Sequence, residues 1–278
     1  MSENSTNIDK IIQELCSLDL SKYPHEKIVS LLMQIGELPV LLTILHPGRL
    51  VIRGRVYNDG EDFTSIQSHS YNPLPKKEYQ RANIPNQSMF YGAVTSDVTE
   101  EPLARITILT EVGNTLSDKV EKEKAMFSAW EVIDDISLFS IIQTKHYQTP
   151  NKLIKKLEER FNNEFVDMEA LKFLDFIASE FAKSDTAKDY YYMISAIFSA
   201  LVCNDEKFDG IYYPSVRTAG AGMNVAILPE VVDAKMRFLG AVDCDVIREG
   251  LNIKVIEKRK SIFRLEYVPI TGEDYYKR

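Results

Sequence analysis

At Gly48 the spacing of apolar residues changes from a helical to a strand-like period, and this switch constrains the fold more than any other feature of the chain. Before it, Ile8, Ile11, Ile12, Leu15 and Leu18 recur every three or four positions, as do Ile28, Leu31, Leu32 and Ile35. That period predicts helix from about Ile8 to Leu45, broken near SLDLSKYP. After Gly48, RLVIRGRVY alternates around Arg53 and Arg55, which predicts a strand. Alternation returns in VDCDVI, LNIKVIE and IFRLEYV and predicts a terminal β-meander or hairpin between Ala234 and Pro269.

The middle of the chain mixes both periods. Ser88 to Val94 reads as a short strand interrupted at Gly92. Leu103 to Val112 is rich in Ile and Thr and is expected to be a strand. Trp130 to Ile142 holds another strand candidate. Thr149-Pro150 suits a helix start, and Leu153, Ile154, Leu157 and Phe161 share one face of Asn151 to Asn162. Met168 to Phe181 and Tyr190 to Val202 are further expected helices. Phe208 to Pro214 and Asn224 to Leu228 are expected strands. Asp59 to Asn86 is polar and carries Pro73, Pro75 and Pro85, so it reads as a long surface excursion of the kind that often serves function. Asn114 to Lys124 reads as a charged loop. The fold class expected is α+β, with inserted helices. Residues 1–45 are expected to form an N-terminal helical extension and 46–278 the main domain, with a β-rich tail.

A formal net charge of -8 over 278 residues argues against nucleic acid as the principal partner, because phosphate backbones call for a basic stripe. No apolar run approaches the roughly 20 residues that span a bilayer, so no membrane association is expected. The first residues, MSENSTNIDK, lack the apolar core of a signal peptide. Cys16, Cys203 and Cys244 are isolated, and His25, His46, His69 and His146 occur singly. No metal site is expected from such spacing, and a cytoplasmic location fits it. Each cysteine reads as a small buried hydrophobe.

Some residues stand out for chemistry. Arg53 and Arg55 lie two apart on a strand, so both side chains point to one face. Two neighbouring guanidiniums repel unless an anion sits between them, and their forked donors suit a pyrophosphate or carboxylate. The other reading pairs one of them with an acid of the DGED turn. Tyr91 precedes Gly92 and either stacks on a planar heterocycle or fills the core with a wet tip. Glu111 in ITILTEVG is costly to bury unless paired, or else faces solvent on its strand. Ser215 follows Tyr213-Pro214, with Gly220 and Gly222 close behind. It is a hydrogen-bonding or turn serine rather than a nucleophile, since no histidine lies near it in sequence.

In combination these segments resemble the RES domain, a family named for an Arg, a Glu and a Ser. IRGR at 52–55 resembles its opening strand. RANIPNQSMFYGA at 81–93 resembles its Arg-Asn loop and Phe-Tyr-Gly strand. FDGIYYPSVR followed by GMNVAI resembles its Ser-bearing strand. The likeness runs from about Arg49 to Leu228. It departs from the family in the length of EEPLARITILTEV, where Glu111 fits best and Glu100 and Glu101 are alternatives, and in offering two arginines, of which Arg53 fits better.

The resemblance implies a split-sheet fold similar to ADP-ribosyltransferases and an enzyme that breaks the nicotinamide–ribose bond of NAD. The acceptor would be water, phosphate or, in a transferase, a macromolecule. Many members of the family are toxins, which implies an antitoxin partner. Under that resemblance Arg53 and Arg55 would grip the pyrophosphate, and Tyr91 would stack on nicotinamide. Glu111 would stabilise the cationic ribose, and Ser215 would hold the ribose or orient Glu111. Arg81 and Asn83 would contact the dinucleotide. A module that binds a nucleotide without turning it over is the alternative.

Overall fold

A computed structural model of the chain describes residues 5–61, 63–95, 101–113, 121–164, 167–184, 188–249, 252–262 and 268–269. In chain order its elements are α1 (Ser5–Ser17), α2 (His25–Leu32), β1 (Leu42–Leu45), β2 (Leu50–Tyr57), β3 (Phe90–Thr95), α3 (Glu101–Val112), β4 (Lys122–Val132) and β5 (Ile136–Ser140). There follow α4 (Lys152–Glu164), α5 (Met168–Phe181), α6 (Met193–Cys203), β6 (Gly210–Pro214), β7 (Met223–Ile227), α7 (Pro229–Lys235), β8 (Met236–Glu249), β9 (Asn252–Ile262) and β10 (Val268–Pro269). The class is α+β. No helix among the described residues is long and apolar enough to cross a membrane.

The chain divides into two compact units, each assembled from separated stretches of sequence. The first comprises Met1–Ile44, Leu74–Met89 and Ile136–Leu228. Its strands run in the order β1-β5-β6-β7, with β6 parallel to β5 and antiparallel to β7. Gly210 is required where β6 meets β7, because a Cβ there would fall 2.1 Å from the Ala226 carbonyl oxygen. Asp167 caps α5 by accepting from the amides of Glu169 and Ala170 at 3.1 Å each, which satisfies donors that the first helical turn leaves open. From that start, Ala170, Phe173, Leu174, Ile177 and Phe181 recur at helical spacing and are all buried. The expected N-terminal helices belong to this unit: α1 packs on α5 and α2 on α6. They are shorter than expected. Helix ends at Leu32, and β1 occupies part of the remainder as a strand.

The second unit comprises Leu45–Pro73, Phe90–Asp135 and Pro229–Arg278. Its strands follow the order β3-β2-β4-β8-β9-β10, and each of these neighbouring pairs is antiparallel. The expected terminal meander is present as β8, β9 and β10. The expected break of β3 at Gly92 is not: the strand runs through it. A Cβ at Gly92 would lie 2.5 Å from Val51 Cγ1, so the glycine admits β2 rather than ending β3.

Leu103 to Val112 is helix, not strand. Its Ile and Thr residues favour a strand locally, but Ala104, Ile108 and Leu109 form an apolar stripe that packs against Ile52, Ala93, Phe127 and Cys244. The gain from covering that sheet face outweighs the weak propensity term. Thr107 and Thr110 bond back to the carbonyls of Leu103 and Thr107 at 2.8 and 2.7 Å, so their hydroxyls are satisfied within the helix. The cysteines also differ from one another: Cys244 is buried, Cys203 is half-buried and Cys16 is exposed.

Candidate functional site

The site begins with the pleat of β2. Arg53 and Arg55 pair with Ser128 and Met126 of β4 and project from one face. Gly54 between them faces the other way, where an added Cβ would meet Ile108 Cγ2 of α3 at 2.3 Å. The helix therefore covers the face of Ile52, Gly54 and Phe127, and both arginines stand on the opposite face.

On the arginine face the chain after β2 folds back over the sheet. Phe63 packs edge-on against Tyr57 at 5.0 Å and lies 5.5 Å from His69, which stacks on Phe238 at 5.2 Å. Arg55 Nη1 donates to the Ser68 carbonyl at 2.9 Å. Arg53 Nη1 donates to the Tyr91 carbonyl at 2.8 Å, and its guanidinium lies 5.2 Å from the centre of the Phe90 ring. Arg53 Nε is shut off from solvent without a partner. No carboxylate among the described residues forms an ion pair with either arginine.

The electrostatic consequence is large. Burial pulls the Arg53 pKa down to about 10, and the charge of Arg55 adds to the fall. Desolvation also lowers the His69 imidazole, with Arg55 pushing the same way, so no further positive charge is favoured there. Nη1 of each arginine is committed to a backbone carbonyl, and the natural complement of the donors left over is an anion with several oxygens. Arg53 is only half-buried as a residue, so part of it is accessible.

The remaining candidates of this unit lie elsewhere. Tyr91 is two residues from Ala93, which belongs to the α3-side core, so its ring points to the α3 face. Glu111 is half-buried in the last turn of α3. The structure thus divides the four candidates: Arg53 and Arg55 on one face, the Tyr91 ring and the helix bearing Glu111 on the other. Of the alternatives, Glu101 opens α3 and Glu100 lies outside the described residues.

One carboxylate that stands on the arginine face is Asp243, which pairs with Met126 in the strand register. Tyr57 donates to its Oδ1 at 2.5 Å, and Arg259 reaches its Oδ2 through Nε at 2.8 Å and Nη2 at 2.7 Å. Burial and this carboxylate both push the Tyr57 pKa upward. The alternation of VDCDVI places Asp243 and Asp245 on one face, and that signal was legible in the sequence. On the α3 face a cavity of about 210 Å³ is lined by Ile52, Phe127, Val242, Arg105 and Lys260, among others. Arg105 Nη1 pairs with Glu257 Oε1 at 2.5 Å there.

Ser215, Arg81 and Asn83 belong to the first unit. Ser215 is fully buried, and its Oγ accepts from the Thr218 amide at 3.3 Å. Its carbonyl accepts from the Gly220 amide at 2.8 Å, so it anchors the turn that leads into β7. Arg81 donates from Nη1 to the Phe181 carbonyl and from Nη2 to that of Lys183 at 3.2 Å, with its guanidinium 5.0 Å from the Tyr192 ring centre. It closes the C-terminal end of α5, where carbonyls lack helical donors. Asn83 Nδ2 donates to the carbonyls of Gln87 at 2.9 Å and Ile84 at 3.3 Å. Both side chains are thus engaged by their own unit.

No protein-family model and no curated protein matches the sequence.

Proposed function

We propose that the chain takes NAD as its ligand, gripping the pyrophosphate with Arg53 and Arg55, and that it consumes the dinucleotide by breaking its nicotinamide–ribose bond. The observation that carries this reading is the pair of guanidiniums on one face of β2 with no carboxylate partner among the described residues. A pyrophosphate offers oxygens to both, and its charge would offset their repulsion. The RES-domain resemblance supplies the remainder: an ADP-ribosyltransferase-like split sheet, water or phosphate as acceptor, and a role as a toxin held by an antitoxin. Transfer of ADP-ribose to a macromolecule is the variant of the same chemistry in which the acceptor is a side chain.

A second reading is favoured by one specific observation. The helix that carries Glu111 packs against the face opposite the arginines, so the acid that would stabilise a cationic ribose is separated by the sheet from the groups that would hold the phosphates. A module that binds the nucleotide without turning it over fits that separation. Incubation with NAD and measurement of free nicotinamide distinguishes the two. Nicotinamide release supports consumption, binding without release supports the module, and the absence of both removes NAD as the ligand.

A further inference from the structure

We propose that the tyrosine cluster formed by Tyr23, Tyr190 and Tyr191 of the first unit, together with Asp189, is a docking surface for an arginine-bearing segment of a partner protein. The inference does not depend on the NAD reading.

Separate stretches of the chain build this surface. Tyr23 comes from the connection between α1 and α2, Tyr79 from the long excursion, and Asp189 to Tyr192 from the 3₁₀ turn that precedes α6. Tyr23 donates to Asp189 Oδ1 at 2.6 Å, and the Tyr79 amide donates to Oδ2 of the same carboxylate at 3.3 Å. The Tyr23 ring stacks on Tyr79 at 6.2 Å and stands perpendicular to Tyr190 at 6.1 Å, while Tyr190 lies 4.6 Å from Tyr191. Buried Tyr79 is the base of the cluster. Tyr23 and Tyr191 remain 48% and 37% exposed, an unusual outlay of aromatic surface for one small area.

Charge selects the occupant. The negative charges of Asp189 and Glu78 bear on Tyr23, those of Asp189 and Glu26 on Tyr79, and those of Asp19 and Asp189 on Tyr190. Asp19 is answered by Lys22 at 3.4 Å. Asp189, Glu26 and Glu78 form no ion pair among the described residues. Aromatic faces inside a negative field attract cations, and tyrosines with exposed rings are frequent anchors of protein interfaces.

The same segment already displays the guest. The guanidinium of Arg81 lies 5.0 Å from the ring centre of Tyr192, beside Tyr191 in sequence. A guanidinium stacks flat on a tyrosine and still offers its edge donors to carboxylates, which a lysine ammonium does less well. Arginine is therefore the residue that fits.

The test titrates the full chain with an acetylated, amidated tri-arginine peptide and with its tri-lysine counterpart, by calorimetry at near-physiological salt. Tri-arginine is expected to bind about tenfold tighter than tri-lysine. Tyr191→Leu should weaken tri-arginine by about tenfold, whereas Tyr191→Phe, which keeps the ring, should stay within about twofold. Glu78→Gln, at an exposed position, should weaken it by about threefold without disturbing the fold. No binding of tri-arginine, equal affinity for the two peptides, or affinity unchanged in both Tyr191→Leu and Glu78→Gln would each overturn the proposal.

Discussion

Arg53 and Arg55 project from the same face of β2, and no carboxylate among the described residues answers either guanidinium. Such a pair raises the energy of the folded chain, through desolvation and mutual repulsion, unless an anion joins it. The first test follows directly. Arg53→Lys should weaken NAD binding by about 30-fold, because a point charge cannot reproduce a forked contact worth roughly 2 kcal/mol. Arg53→Met should abolish binding while leaving unfolding stability unchanged or about 1 kcal/mol higher. Calorimetry and urea denaturation measure the two effects. A marked loss of stability in Arg53→Met would show that the arginine serves the fold.

Glu111 tests the chemistry separately from the binding. Glu111→Gln should lower nicotinamide release by two to three powers of ten, about 3–4 kcal/mol, through kcat rather than KM. NAD affinity should change little, since the arginines lie across the sheet from α3. Release at the parental rate would remove Glu111 from the mechanism and direct attention to Asp243, the buried acid on the arginine face.

Gly54 governs how closely α3 approaches the sheet. Gly54→Ala would set a Cβ 2.3 Å from Ile108 Cγ2 and should destabilise the protein by about 1–3 kcal/mol through overpacking. In an Ile108→Ala background the same change should cost much less, because the clashing methyl is gone. A double-mutant cycle by urea denaturation measures the coupling, and additive losses would contradict the contact.

Glu180 provides a pH test in the first unit. It is 6% exposed, and burial raises its carboxyl above the ordinary value even though Lys183 pulls it down. A carboxyl raised in the folded state binds more protons than in the unfolded chain, so its contribution is most favourable below the unfolded pKa and is lost as pH climbs to the folded value. Glu180→Gln should therefore match the parent at about pH 4 and exceed it in stability near pH 7. Denaturation curves at both values decide it, and a variant less stable at neutral pH would show that the Lys183 pair outweighs the burial cost.

Much of the secondary structure was legible because its signal is local. The stripe from Ala170 to Phe181 has the helical period, and the Asp167 cap precedes it. The alternation of LVIRGRVY and VDCDVI has the strand period, which alone places Arg53 with Arg55 and Asp243 with Asp245. The segment from Leu103 to Val112 carries both signals. Its Ile and Thr content points to a strand, whereas Ala104, Ile108 and Leu109 mark one face of a helix, and a sheet face built from β2, β3 and β4 decided between them.

The sequence by itself determined which residues share a face of their own element, since that follows from a period of two or 3.6 residues. Only the tertiary structure decided which face α3 covers, and hence that the Tyr91 ring and the helix bearing Glu111 stand across the sheet from the arginines. It also assigned Arg81 to the end of α5 and Asn83 to its own turn, and it gathered Tyr23, Tyr79 and Asp189 from distant segments. These outcomes depend on burial and pairing between residues far apart in the chain, and no local spacing encodes them.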